Sequence, residues 1–148
     1  MSINFLNTIA LIIFLCACEQ KISNDNVPEG IRNKFSAIYP AAENVRWAKE
    51  IKNYRAYFKN SGNDIAVLFD KKGNVKETEI KIEKKEVPEA VIKMISREYP
   101  KANLISFSRV DSPDMVQYAV KMNIRKENYK VFFSPEGRLI KQVLNTKE

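Results

Sequence analysis

The chain has 148 residues, with 25 Lys and Arg against 18 Asp and Glu, and a formal net charge of +7. It contains no histidine, which excludes Ser-His-Asp and Cys-His nucleophilic catalysis, His-ligated zinc and the most frequent general base. Its four glycines are scattered, so no glycine-rich phosphate loop is present.

Met1 to Ala17 carries no charged side chain, and its apolar centre runs from Thr8 through Ala10-Leu11-Ile12-Ile13-Phe14-Leu15. The stretch is too short to span a bilayer as a helix and ends in small residues, the pattern of a signal peptide and its cleavage site. The ending Leu15-Cys16-Ala17-Cys18 resembles the lipobox of bacterial lipoproteins, which implies that residues 1–17 are removed and Cys18 is acylated. One departure is an n-region without Lys or Arg. Loss of Cys16 and acylation of Cys18 would leave neither thiol nor disulfide, so the mature domain depends on its apolar core. Residues 18–26 are polar after the cysteine and are expected to form a flexible, lipidated tether. In an exported protein the positive charge suits anionic headgroups, acidic glycans or an acidic protein rather than nucleic acid. A solvated surface explains it more simply, because no basic run exceeds two residues.

Beyond the tether the chain repeats itself. Val27-Pro28-Glu29 returns as Val87-Pro88-Glu89, Tyr39-Pro40 as Tyr99-Pro100 and Trp47 as Phe107, all displaced by 60. Tyr54-x-Ala56-x-Phe58 pairs with Val116-x-Tyr118-x-Val120 at 62, and Val67-Leu68-Phe69 with Val131-Phe132-Phe133 at 64. The displacement changes by even steps, which keep matched residues on the same face of a sheet. The units are 27–82 and 87–143, joined by Glu83-Lys84-Lys85-Glu86.

In each unit Val-Pro-Glu opens a helix and Tyr-Pro closes it. Ile31, Phe35 and Ile38 form the apolar stripe of the first helix, and Val91, Met94 and Ile95 that of the second. Strands follow, with Val45 and Trp47, then Tyr54, Ala56 and Phe58, then Ile65, Val67 and Phe69 expected on the core side. Asp70-Lys71-Lys72-Gly73 and Ser134-Pro135-Glu136-Gly137 are hairpin turns with glycine where a positive φ is needed. The expected architecture is α+β: two tandem repeats of one helix followed by an antiparallel four-stranded sheet, with the helices packed on one side. Each unit is too small to bury much core alone, so the two are expected to make one cooperative domain.

Val27-Pro28, Tyr39-Pro40, Val45-Arg46-Trp47, Tyr54-x-Ala56-x-Phe58 and the Asp70-x-x-Gly73 turn together resemble the PepSY-like domains, grouped with the beta-lactamase-inhibitor protein. The resemblance covers about 27–143. It is weaker in the second unit, where Phe107 replaces the tryptophan and Ser134-Pro135 the acidic turn. It implies a tandem helix-plus-sheet module in exported, often lipid-anchored proteins, with binding or inhibitory roles. It carries no catalytic or ligand motif that could be transferred to this chain.

The residues themselves offer little chemistry. Asp70-Lys71-Lys72-Gly73-Asn74 fails as a calcium loop, with Lys72 at its third position and Lys81 at its twelfth. Asp111 and Asp114 flank Pro113 as turn residues would. Trp47 is read as a core anchor, with ligand stacking as the alternative. No metal or cofactor is expected. The strand face opposite the core is the candidate binding surface: Arg46, Arg55, Tyr57, Lys59, Gln117, Lys121, Lys130 and Phe132, mixing cations with aromatic rings. The same pattern also fits a solvated sheet face. The expected function is a lipid-anchored, non-enzymatic cell-envelope protein, periplasm-facing or surface-exposed. It would bind or inhibit a protein or peptide through that face, with no nucleic-acid partner. The alternatives are a structural or stress-related envelope protein without a dedicated ligand, and an enzyme using carboxylates alone.

Overall fold

The computed structural model describes residues 19–144; the expected signal segment, its expected cleavage site and Cys18 lie outside the described residues. Two helices, α1 (Glu29–Ile38) and α2 (Glu89–Glu98), accompany nine strands. The strands are β1 (Glu19–Ile22), β2 (Glu43–Glu50), β3 (Asn53–Asn60), β4 (Asn63–Phe69), β5 (Val75–Ile82), β6 (Asn103–Asp111), β7 (Val116–Ile124), β8 (Glu127–Phe133) and β9 (Leu139–Leu144). Each helix starts after its Val-Pro and ends at the tyrosine before the second proline, where the pre-proline backbone leaves the helical region.

The expected pair of four-stranded sheets is not what forms. All nine strands make one antiparallel sheet in sequence order, so the protein is mostly β, and not two repeats of a helix with its own sheet. Two pairings cause this. β5 pairs directly with β6, Thr78 opposite Asp111 through Ile82 opposite Phe107. The edge of the first half is thereby covered by the second, which removes an exposed row of backbone donors and acceptors. The other pairing involves the polar segment expected to be a tether. Glu19–Ile22 adds to β2, with Ile22 opposite Trp47, and a short 3₁₀ turn, Asn24–Asn26, leads to α1. Ile22, half-buried, packs against the core under α1, a gain that outweighs the disorder its polar neighbours favour.

Both helices lie on one face. Under α1, Ile31 and Phe35 meet Trp47, Ala56, Phe58, Val67 and Phe69. Under α2, Val91 and Ile95 meet Val120, Met122, Val131 and Phe133. The 62-residue match of the third strand is also corrected: Tyr54 and Tyr118 stand opposite Phe69 and Phe133, so the true displacement there is 64. The shift is still even, so the facing is unchanged.

Val45, expected in the core, is exposed. The ladder slips between Glu43 and Arg46, with Asn44 at φ 54°, and this bulge turns Val45 outward. The second half repeats the slip between Leu104 and Ser106, leaving Ile105 exposed. Ile38, expected on the core stripe of α1, is also exposed, at its last turn.

Candidate functional site

The face of the sheet away from the helices is built by alternation. With Trp47, Ala56 and Val67 under α1, the intervening Arg46, Arg55, Tyr57, Lys59 and Leu68 must project the other way. Arg46 stands opposite Tyr57, Ala48 opposite Arg55, and Arg55 opposite Leu68. Further along, Glu79 stands opposite Val110, Val110 opposite Gln117, Ala119 opposite Phe132, and Lys121 opposite Lys130. Ala48, Ala66, Val110, Ala119 and Phe132 are buried on this face without a covering helix. Long side chains lying across small ones supply the cover.

Arg55 is the centre of one half. Its Nε and Nη2 donate to Glu50 and its Nη1 donates to Glu77 at 3.1 Å, with only 11% of the side chain exposed. Burial opposes the charge, but the hydrogen bond and charge of Glu50, reinforced by Glu77, outweigh it and raise the pKa of Arg55. Beside it the Tyr57 hydroxyl donates to Glu19, and the Arg46 guanidinium lies 5.8 Å from the ring centroid. Burial and then the Glu19 hydrogen bond push the phenol well above its ordinary value, which keeps the hydroxyl protonated as the donor to Glu19.

In the other half Lys130 reaches across β6 and β7 to Glu79, with its Nζ donating at 2.5 Å. A flat sheet would set β5 and β8 about 14 Å apart, and the gap closes over Ser108 and Ala119, which are small. Lys130 and Lys141 also sit 5.3 and 4.2 Å from the Phe132 ring centroid, two cations against one ring. The Gln117 side-chain oxygen is shut off from solvent and accepts no hydrogen bond.

Burial would raise the Glu79 pKa, but the charge and hydrogen bond of Lys130, helped by Ser108 and Arg55, hold it below the usual glutamate range. A carboxylate depressed in the folded state adds stability above its unfolded pKa and loses it as pH falls through the folded value. The melting temperature should therefore fall on acidification through and below the usual glutamate range. Glu79→Gln should lower it at neutral pH and flatten this dependence. An unchanged pH profile in that variant would assign the acid sensitivity elsewhere.

The residues expected to form one binding surface thus divide into two groups, Arg46, Arg55, Tyr57 and Lys59 on β2–β3 and Gln117, Lys121, Lys130 and Phe132 on β7–β8. Arg46, Lys59 and Lys121 are exposed. Arg55 and Lys130 are engaged by carboxylates, and Phe132 is 6% exposed, so it is no free anchor. Sequence reasoning misses Glu19, Glu50, Glu77, Glu79 and Lys141. The alternation Glu77-Thr78-Glu79-Ile80-Lys81-Ile82 carries the signal for the two central carboxylates. Trp47 is core, 5% exposed, which ends its ligand-stacking alternative. Asp70 turns its carboxylate onto the backbone amides of Lys72 and Asn74, and Asp111 onto Arg109. Among the described residues no group of three or more Cys, Asp or Glu is placed to hold a metal ion.

The fold is a nine-stranded antiparallel sheet with two helices on one face and a salt-bridged, aromatic-bearing surface on the other. The chain belongs to the family described as "Putative beta-lactamase-inhibitor-like, PepSY-like", which matches residues 16–76 and 52–141. Among solved structures, it is similar to a protein from Bacteroides eggerthii described as a putative periplasmic protein (21% identity, 80% of this chain and 88% of that one, TM-score 0.71). It is also similar to a DUF2874 family protein from Bacteroides uniformis (24%, 79% and 88%, TM-score 0.69) and a BLIP-like protein from Bacteroides fragilis (20%, 82% and 88%, TM-score 0.64). At these identities the likeness speaks for the fold. No curated protein matches the chain.

Proposed function

We propose that the protein is an exported, lipid-anchored, non-enzymatic module of the cell envelope that binds an acidic protein or peptide segment through its helix-free sheet face. The observation that carries this reading is the layout of that face. Small and apolar groups occupy its middle, Arg55 and Lys130 are neutralised there by carboxylates, and Arg46, Lys59, Lys121 and Lys141 remain exposed around them. An apolar, charge-compensated centre with a charged rim is how protein interfaces are built. Membership of a beta-lactamase-inhibitor-like family and likeness to a protein described as periplasmic support binding and export. The Leu15-Cys16-Ala17-Cys18 ending supports the anchor. A structural envelope protein with no ligand is the second reading, favoured by the consumption of Arg55 and Lys130 inside the fold.

Cys18→Ser should move the protein out of the membrane fraction or block its processing, and unchanged lipid labelling would remove the anchor from the proposal. The full chain should then capture one stoichiometric, salt-sensitive partner from solubilised envelope. Reversing the exposed charges (Arg46→Glu, Lys121→Glu, Lys141→Glu) should abolish capture while the protein still melts cooperatively, with only the small loss expected from the Arg46–Tyr57 and Lys141–Phe132 contacts. Capture that survives the reversals, or the lack of any stoichiometric partner, decides for the structural reading.

A further inference from the structure

Glu19, the residue bonded to Cys18, opens β1 in register with Glu50 at the end of β2. The two-residue turn Ile51-Lys52 follows Glu50 directly. Paired strands lie about 4.8 Å apart, so Glu19, the residue covalently bonded to the cysteine that would carry the lipid, lies at the same end of the sheet as this turn.

The turn is unusual in two independent ways. Ile51 has φ 54°, a conformation that a β-branched residue rarely adopts and that this turn position normally assigns to glycine. Its side chain is also 74% exposed, more than any other large exposed apolar residue among the described ones. The fold therefore bears local strain for an isoleucine that leaves most of its surface in solvent, and strain of this kind collects at functional positions. Lys49 and Lys52 flank it, both exposed, while the intervening Glu50 turns its carboxylate onto Arg55.

Taking the lipidation reading as given, we propose that the Lys49–Lys52 turn is a membrane-contact tip. Ile51 inserts at the headgroup–acyl boundary beside the Cys18 lipid, and Lys49 and Lys52 lie on anionic headgroups. The lipid alone would hold the protein on a swivel; the second contact holds the β1–β3 end of the sheet against the membrane.

The test uses the full, lipidated chain carrying Ile51→Cys, with a polarity-sensitive fluorophore on that thiol, in vesicles of phosphatidylethanolamine and phosphatidylglycerol. Ser61→Cys, in the turn at the opposite end of β3, is the control. The expected result is a blue shift and loss of iodide quenching at position 51 but not at 61, both reduced in phosphatidylcholine vesicles. If mass spectrometry shows an acylated Cys18 while the label at 51 stays as accessible as at 61, the tip is overturned and lipidation stands. An unmodified Cys18 takes both down. A blue shift at 51 that needs protein concentration rather than vesicles would assign the tip to a second copy of the chain and overturn the membrane contact.

Discussion

Replacing Trp47 with alanine should lower the unfolding free energy by about 3–5 kcal/mol, seen as a fall in melting temperature of roughly 10–20 °C. The indole is 5% exposed and packs edge-on to Phe35 at 5.2 Å between ring centroids, with Phe69 at 6.2 Å. Phe35 in turn meets Phe58 at 5.0 Å. Removing Trp47 therefore opens a cavity where α1, β2 and β4 converge. Because β5 and β6 pair directly, the whole sheet should still melt in one transition, at the lower temperature. A loss below about 1 kcal/mol would mean that the aromatic cluster does not hold α1 to the sheet.

Gly137→Ala should cost about 3 kcal/mol or more, and Gly73→Ala about half as much, although both glycines occupy equivalent hairpin turns. Both have positive φ, 83° and 79°, so each substitution carries the left-handed penalty of about 1–2 kcal/mol. The difference is what the new methyl meets. At Gly137 a Cβ would fall 2.5 Å from the Ala90 carbonyl oxygen in the first turn of α2, and backbone has to move. That adds overpacking strain of about 1–3 kcal/mol. At Gly73 the nearest atom is Cδ of Lys34 at 2.9 Å, on a side chain whose amine reaches the Lys72 carbonyl and can swing aside. Chemical denaturation of the two variants side by side measures this. Equal losses would show that the turn conformation alone sets the cost.

Several features are legible in the sequence because they are local. Val-Pro and Tyr-Pro bracket the helices through the proline ring, and Ile31, Phe35, Val91 and Ile95 repeat at helical spacing. Alternation places Arg55, Tyr57 and Lys130 on the face away from Trp47. Gly73 and Gly137 mark the positive-φ turns. Where the local rule fails, as at Val45, the bulge at Asn44 has no sign in the residues that alternate around it.

Local order does not say which strands become neighbours. The segment Glu19–Ile22 is polar and reads as unstructured, yet Ile22 gains a half-buried place opposite Trp47 once β2 exists to receive it. Two separate four-stranded sheets would satisfy every local signal. The single sheet forms because the β5 and β6 edges complete each other's hydrogen bonding.

The same distinction governs the candidate site. Which face a residue occupies follows from period two and belongs to the sequence. Whether that residue is available depends on side chains from distant strands: Glu77 and Glu50 close on Arg55, Glu79 on Lys130, and Lys130 with Lys141 on Phe132. Sequence alone determined the division of the sheet into a helix-covered face and a basic, aromatic-bearing one, because alternation is a property of each strand's own backbone. Only the tertiary structure decided that the middle of the second face is neutralised and closed, because charge pairing and burial depend on strand neighbours that no local pattern encodes.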